Sequence, residues 1–198
     1  MKSAIAHLVG EAPYSQSRHY ADDVPKLPKE LPDAYEVRTW RNRLHADAGG
    51  HVVIPPMAFA NCIKSAAKRL KLQVPGKGRT EWTKYFEAGV MVVDGVVLPD
   101  KAAEVPCDKL FVPSDGRRGG PKRVTRYFPR IDAWEGDVKF YLFDDLITED
   151  VFRQVLVASG LIVGIGRFRP ENCGFYGRFS VKSLAWISEE DTMARIAA

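Results

Sequence analysis

Several things that the sequence lacks exclude whole classes of protein. It has three cysteines in 198 residues, far apart along the chain, which argues against a disulfide framework and a structural zinc site. The longest uncharged run, 154–166, has 13 residues, whereas a membrane span needs about 20. His7 and Glu11 interrupt the first apolar stretch too early for a signal peptide. We therefore expect a soluble, cytoplasmic protein without a membrane contact, a metal ion or a cofactor.

The remaining composition is that of a globular protein, with 45% hydrophobic and 27% charged residues. This length predicts a single domain over 1–198. The net charge is +4, but the basic residues are concentrated in 116–130, which has six Lys/Arg and no acid, and in 164–182, which has four against Glu171. Aromatic residues are interleaved with both clusters. Such stretches suit a phosphate backbone with unstacked bases, although solvated loops have the same composition.

The apolar spacing predicts the order strand, helix, strand, strand, helix, strand. The expected strands are 2–10, 51–54, 88–93 with 96–98, 137–145 and 175–181. The third of these is one buried strand or a hairpin turned at Asp94-Gly95. The expected helices are 55–70, with Met57 in its apolar stripe, and 149–159, capped by Thr148 and ended by Gly160. This order is that of an α+β, ferredoxin-like (RRM-type) βαββαβ domain, with an antiparallel sheet, two helices and a long basic insertion at about 99–135 between the middle strands. In RNA-recognition domains of this type, sheet aromatics stack on bases.

Two stretches resemble the RAMP superfamily, the repeat-associated proteins of CRISPR effector complexes. After the second helix the chain reads Gly164-Ile165-Gly166-Arg167, and later Gly177-Arg178 enters the last strand, which resembles the C-terminal glycine-rich loop of that family. The stretch 54–69, IPPMAFANCIKSAAKR, is similar to the strand-to-helix junction of its backbone subunits. Glycines let backbone amides approach phosphates closely, and neighbouring arginines supply charge.

This resemblance implies a backbone-type subunit that binds single-stranded guide RNA in a sequence-tolerant way and assembles along the strand with copies of itself and other effector subunits. DNA as a target stays open, and so does a phage or mobile-element relative of these subunits. The insertion then corresponds to the protruding thumb of that family. One alternative is a metal-independent guide-processing endoribonuclease that uses His45 or His51. Another is a protein-binding inhibitor that mimics a backbone subunit.

We expect no catalytic residue, although Asp47 occupies a position similar to that of a cleaving aspartate in the family. Nucleic-acid contacts are expected from the glycine-rich loop, the insertion, the first helix, the polar run after the first strand and the 38–44 segment. The candidates are Gly164, Gly166, Arg167, Arg169, Arg178, Arg117, Arg118, Lys122, Arg123, Arg126, Tyr127, Phe128, Lys64, Lys68, Ser15, Gln16, Arg18 and Arg41. Two further expectations are that Gly166→Val impairs binding without unfolding the protein, and that 116–130 is a loose arm in the free protein.

Overall fold

A computed structural model describes residues 2–20, 23–114 and 122–187 of the chain. The strands are β1 (Lys2–Gly10), β2 (His51–Ile54), β3 (Val90–Val92), β4 (Val96–Lys101), β5 (Cys107–Pro113), β6 (Arg123–Pro129), β7 (Glu135–Leu142) and β8 (Phe179–Ile187). The α-helices are α1 (Pro32–Thr39), α2 (Pro56–Leu70), α3 (Thr83–Gly89) and α4 (Glu149–Ala158). Within these ranges, no helix has the length and apolar character that crossing a bilayer requires.

The central sheet has four strands in the order β3-β7-β1-β8, and every neighbouring pair is antiparallel. Ala4, Ala6 and Leu8 alternate along β1 and are completely buried, as expected for a strand with one face against the core. On the neighbouring strand, Phe140 packs edge-on against Phe152 of α4. The predicted α+β fold with antiparallel strands is therefore confirmed, but the described residues form four α-helices rather than two.

Two predicted elements agree closely with the structure. Strand β1 has the predicted bounds, and α2 covers the predicted helix. The buried side of α2 differs from the predicted stripe, because Phe59 and Ile63 point to the core while Met57 is 60% exposed. Proline suits the first helical position of α2, because a backbone N–H at that position would have no acceptor within the helix.

Helix α4 starts as predicted and ends differently. The Thr148 hydroxyl accepts a hydrogen bond from the Val151 amide at 3.4 Å, which confirms the cap. Gly160 does not end the helical backbone, because a π-helical turn over Ser159–Val163 continues it. The turn ends at Gly164, whose φ of 72° favours glycine.

Both expectations for 88–98, one buried strand or a hairpin turned at Asp94-Gly95, are wrong. The chain over 83–89 is helical, β3 pairs with β7, and β4 pairs instead with β2 in a separate two-stranded sheet. Val96 and Leu98 are buried by this second pairing. The last strand also begins later than expected, at Phe179, because 175–178 belongs to the glycine-rich loop.

The insertion contains an antiparallel hairpin of β5 and β6. Its register runs from Cys107 opposite Pro129 to Pro113 opposite Arg123. The expectation of a loose arm is therefore wrong for 123–129, because backbone pairing holds this segment in a strand. Arg117 and Arg118 lie outside the described residues.

A buried carboxylate attaches this hairpin to the rest of the protein. Glu36 of α1 is 1% exposed and accepts hydrogen bonds from Arg43 at 2.7 Å, Arg126 at 2.7 Å and the Tyr127 amide at 3.0 Å. Burial opposes ionisation of Glu36, but the Tyr127 amide and the two guanidiniums outweigh it and lower the pKa of the carboxyl group. We call this set of contacts the Glu36 clasp. It joins α1, the 3₁₀ turn that follows α1, and β6.

We predict that Glu36→Gln lowers the free energy of unfolding by about 3 kcal/mol, because removing one partner leaves buried charge uncompensated. Urea unfolding followed by circular dichroism measures the change. The matched control is Glu149→Gln, since Glu149 is 40% exposed and pairs with Arg153 on the same helix. The control should cost less than about 0.5 kcal/mol, and equal losses in both variants would contradict a special role for the clasp.

The pH dependence of stability provides a second test of the clasp. Because the pKa of Glu36 lies below its ordinary value of 4.5 in the folded protein, the folded state binds fewer protons than the unfolded state. The stabilisation is therefore complete above the unfolded pKa and is lost as the pH falls through the folded pKa. We predict a smaller loss of stability between about pH 5 and about pH 3 in Glu36→Gln than in the wild type. Parallel curves would show that Glu36 does not contribute.

Candidate nucleic-acid interface

The glycine-rich loop, 164–178, folds back on the segment that follows β1. The Arg167 amide donates to the Ser15 carbonyl at 2.8 Å, and the Gly177 amide donates to the Pro13 carbonyl at 2.8 Å. Within the loop, the Ile165 amide donates to the Gly177 carbonyl at 2.9 Å. These three amides are used inside the protein, so they are not available to a phosphate. The loop would therefore have to bind anions mainly through side chains.

Gly166 allows the closest backbone contact between the loop and this segment. Its φ is 72°, and a Cβ atom there would lie 2.2 Å from the Ser15 carbonyl oxygen and 2.5 Å from the Tyr14 ring. Neither contact is possible between real atoms, and one of them is with backbone that cannot move aside cheaply. We therefore expect Gly166→Val to be destabilised, because the Ser15 backbone or the Tyr14 ring would have to shift, and whether the variant stays folded remains a prediction.

A cavity of about 250 Å³ lies where the two family-like stretches meet. The glycine-rich loop forms one wall, the start of α2 forms another, and the polar run after β1 closes it. The cavity is lined by Tyr14, Gln16, Ser17, His45, Pro55, Met57, Ala58, Asn61, Cys62, Val163, Gly164, Ile165, Gly166, Arg167, Arg169 and Glu171. The tertiary structure thus unites segments that are more than a hundred residues apart in sequence.

Gln16 is the unusual polar side chain in this wall. It is 3% exposed, and its Oε1 accepts a hydrogen bond from the Tyr14 hydroxyl at 3.4 Å. Its Nε2 has no acceptor among the described residues. Buried polar groups are almost always hydrogen-bonded, so this amide is a donor in need of an acceptor.

Arg167 lies beside the cavity and has no carboxylate partner in the described part of the chain. Its guanidinium lies 4.7 Å from the ring centroid of Phe128 and 5.5 Å from that of Phe168. Burial lowers the pKa of Arg167, and the charge of Arg43 adds to this shift. A cation held in this way beside aromatic rings is oriented without being neutralised.

On its other side, Arg167 lines an open groove of about 520 Å³ between the 17–20 segment, α1 and the β5–β6 hairpin. The cations of this groove are Arg18, Lys26, Arg43, Arg126 and Arg167. Phe128 is 3% exposed, so its ring supports Arg167 instead of offering a free stacking face. The groove therefore presents positive charge more than open aromatic surface.

The structure brings eight of the candidates to these two clefts: Gln16, Arg18, Arg126, Phe128, Gly164, Gly166, Arg167 and Arg169, of which Arg169 is paired to Glu171 at 2.7 Å. The other described candidates line neither cleft. Two of them contact other side chains: Lys64 pairs with Glu87, and Arg41 covers the Trp40 ring. The Tyr127 amide donates to Glu36, Arg123 donates to the Phe111 carbonyl, and Ser15 is buried. The remaining three are exposed outside the clefts: Lys68, Lys122 and Arg178.

Sequence reasoning did not select several residues of the clefts. Asn61 is an ordinary polar residue on α2, and Lys26 stands in a proline-rich loop. Glu36 also gave no signal, because its importance comes from burial against residues far away in the sequence. Arg43 shared the ambiguity of the short segment around it until the Glu36 clasp explained its position.

The residues considered for cleavage are divided between two places. Asp47 accepts a hydrogen bond from the His51 amide at 2.8 Å and lies 3.4 Å from its ring, which closes a local turn away from both clefts. This contact with the His51 amide contributes most to the lowered pKa of Asp47. His45 alone lines the cavity. Within the described ranges, no three His, Cys, Asp or Glu side chains gather as a metal site would require.

The open face of the central sheet does not resemble a base-stacking platform. Among the described residues of its four strands, the aromatic side chain on this face is Tyr141, next to Lys139 at 4.7 Å. Phe140 and Trp186 pack on the opposite face against α4. The stacking expected of an RRM-type sheet is therefore not supported.

Comparison with known proteins gives a likeness in structure. No protein-family model matches the chain, and no curated protein matches its sequence. The fold is similar to that of Cmr6 from Pyrococcus furiosus, with a TM-score of 0.46 and 14% identity over 91% of this chain and 99% of Cmr6. At so low a TM-score and identity, the likeness supports no statement about function on its own.

We predict that Gly166→Ala lowers the free energy of unfolding by about 3 kcal/mol, because it combines a left-handed backbone with a collision. Gly76→Ala is the matched control, since Gly76 has a φ of 75° and nothing within 4 Å of an added Cβ. It should cost about 1 kcal/mol. Thermal or urea unfolding measures both, and equal costs would show that the loop tolerates a side chain.

Proposed function

We propose that this protein binds single-stranded RNA along the basic groove and the cavity beside it. The observation that carries the proposal is Arg167, a half-buried guanidinium without a carboxylate partner in the described chain, placed where the two clefts meet. A desolvated, unneutralised cation is unfavourable in isolation and gains most from an anionic ligand.

The remaining groove cations favour a polyanion over a small acid. Lys26, Arg167 and Arg18, which pairs with the exposed Asp23 at 3.0 Å, line one open groove, and an RNA strand with successive phosphates can reach several of them at once. The groove is open to solvent, which leaves room for a bound chain to continue beyond it. In this proposal the cations of the groove contact phosphates, and the described residues of the groove provide no aromatic platform on which bases would stack. Binding along the groove is therefore expected to tolerate different RNA sequences.

We further propose that the fold is a ferredoxin-like domain of RAMP type and that the chain is a backbone-type subunit of a CRISPR-type ribonucleoprotein. Support comes from the alternation of β1, α2, β3, β7, α4 and β8 and from the sheet order that these strands form. In this proposal the β5–β6 hairpin is the thumb, and the partners are guide RNA, copies of the chain and other effector subunits.

The proposal is one of binding without cleavage. A metal-independent nuclease needs a general base and a general acid at the same phosphate, and His45 lines the cavity while Asp47 and His51 close a turn elsewhere. A protein-binding inhibitor would not need the unpaired Arg167. RNA binding therefore separates our proposal from the inhibitor alternative, and intact RNA separates it from the nuclease alternative.

We predict that a single-stranded RNA binds with strong salt dependence and that Arg167→Gln weakens binding about tenfold. If three phosphates are contacted, the affinity falls about 20-fold between about 50 and about 200 mM salt, and Arg167→Gln reduces the log–log slope by about 0.7. Fluorescence anisotropy with a labelled oligonucleotide in EDTA measures affinity, and gel analysis of the same samples shows whether the RNA is cut.

Arg153→Gln is the matched control, because Arg153 is exposed on α4 and pairs with Glu149. It should leave both affinity and slope within error of the wild type. Affinity that does not change with salt, or an equal effect of the two substitutions, would refute binding through the groove. RNA fragments in EDTA that disappear with His45→Ala would instead establish the nuclease.

A further inference from the structure

We infer that the cavity beside Arg167 is a pocket for one unstacked base of the bound strand, and that the Gln16 amide donates a hydrogen bond to a carbonyl oxygen of that base. This inference rests on the proposed function for the strand, but it concerns a different part of the surface. It adds a preference at one nucleotide to contacts that are otherwise independent of sequence.

The size and lining of the cavity indicate the kind of ligand. Its volume of about 250 Å³ is below the range of about 300–1,000 Å³ in which drug-sized ligands and cofactors bind. Pro55, Met57, Ala58 and Ile165 provide apolar walls, and these suit the faces of a small planar ring. A phosphate alone would gain nothing from such walls.

Gln16 supplies the polar specificity that an apolar pocket needs. Gln16 lines the cavity and is 3% exposed, and its Nε2 is shielded from solvent and has no acceptor in the described part of the protein. An unmade hydrogen bond of this kind is costly. A base with a ring carbonyl, such as uracil, brings the missing acceptor when it enters the cavity and the Gln16 amide turns towards it.

Arg167 connects the pocket to the groove. This residue lines both clefts, so a nucleotide whose base enters the cavity can leave its phosphate next to the Arg167 guanidinium. The phosphate and the base of one nucleotide are thus held by two different groups. This division makes the two contributions separable by experiment.

The direct test uses uridine 5′-monophosphate and ribose 5-phosphate, which differ by the base. We expect the wild type to bind the nucleotide at least about fivefold more tightly than the sugar phosphate, the value of one good hydrogen bond. Gln16→Met, which keeps the side-chain length and removes the donor, should abolish most of this difference. Equilibrium dialysis or ligand-observed NMR gives both affinities.

Gln154→Met is the matched control, since Gln154 is exposed on α4 and lines neither cleft. It should keep the full difference. Should Gln16→Met fail to fold, Asn61→Trp gives an independent test, because Asn61 is exposed on α2 and borders the cavity. The indole should fill the cavity and reduce the affinity for the nucleotide to that for ribose 5-phosphate.

The outcomes separate this inference from the proposed function. Equal binding of the two small ligands by the wild type overturns the base pocket even if RNA binds with a steep salt dependence. The same holds if neither Gln16→Met nor Asn61→Trp reduces the preference for the nucleotide. A base-dependent preference that both variants remove supports the pocket, even where longer RNA fails to bind and the proposed function is wrong.

Discussion

Glu36 is the residue on which the geometry of the basic surface depends. Its buried carboxylate accepts hydrogen bonds from two arginines and one backbone amide that come from the 3₁₀ turn and from β6. Without these donors a buried carboxylate would be strongly unfavourable, so the segments that supply them are held against α1. A second carboxylate, Asp108 of β5, is bound by Arg130 and by the Tyr176 hydroxyl. The hairpin is thereby fixed to the body at one point and to the glycine-rich loop at another.

This attachment explains how a protein with a small net charge presents a strongly basic groove. In the Glu36 clasp, the carboxylate of Glu36 pairs with Arg43 and Arg126. Arg167 instead contacts the rings of Phe128 and Phe168. Aromatic support orients a guanidinium without cancelling its charge. Arg167 therefore keeps its positive charge where the proposed RNA strand would contact it, whereas the paired Arg43 and Arg126 mainly stabilise the fold.

The glycine-rich loop illustrates how close packing can resemble a binding motif. Glycines followed by arginines suggested amides that approach phosphates, but the amides of Ile165, Arg167 and Gly177 are bonded inside the protein. At Gly166 the missing side chain makes room for the Ser15 carbonyl. The same residues therefore build the wall of a cavity, and the loop contributes to a ligand site through Arg167.

The sequence by itself determined the local elements: the alternation along β1, the span of α2 and the Thr148 cap depend on neighbouring residues, and each lies where it was expected. It also located the two basic stretches and the glycine-rich loop. Tertiary structure decided the partner of each strand, because the apolar residues of β4 predict a buried strand without indicating that it pairs with β2. It alone decided which cations keep their charge unpaired, since Glu36 meets Arg126 across 90 positions of chain, and such long-range pairing leaves no periodic trace in a sequence.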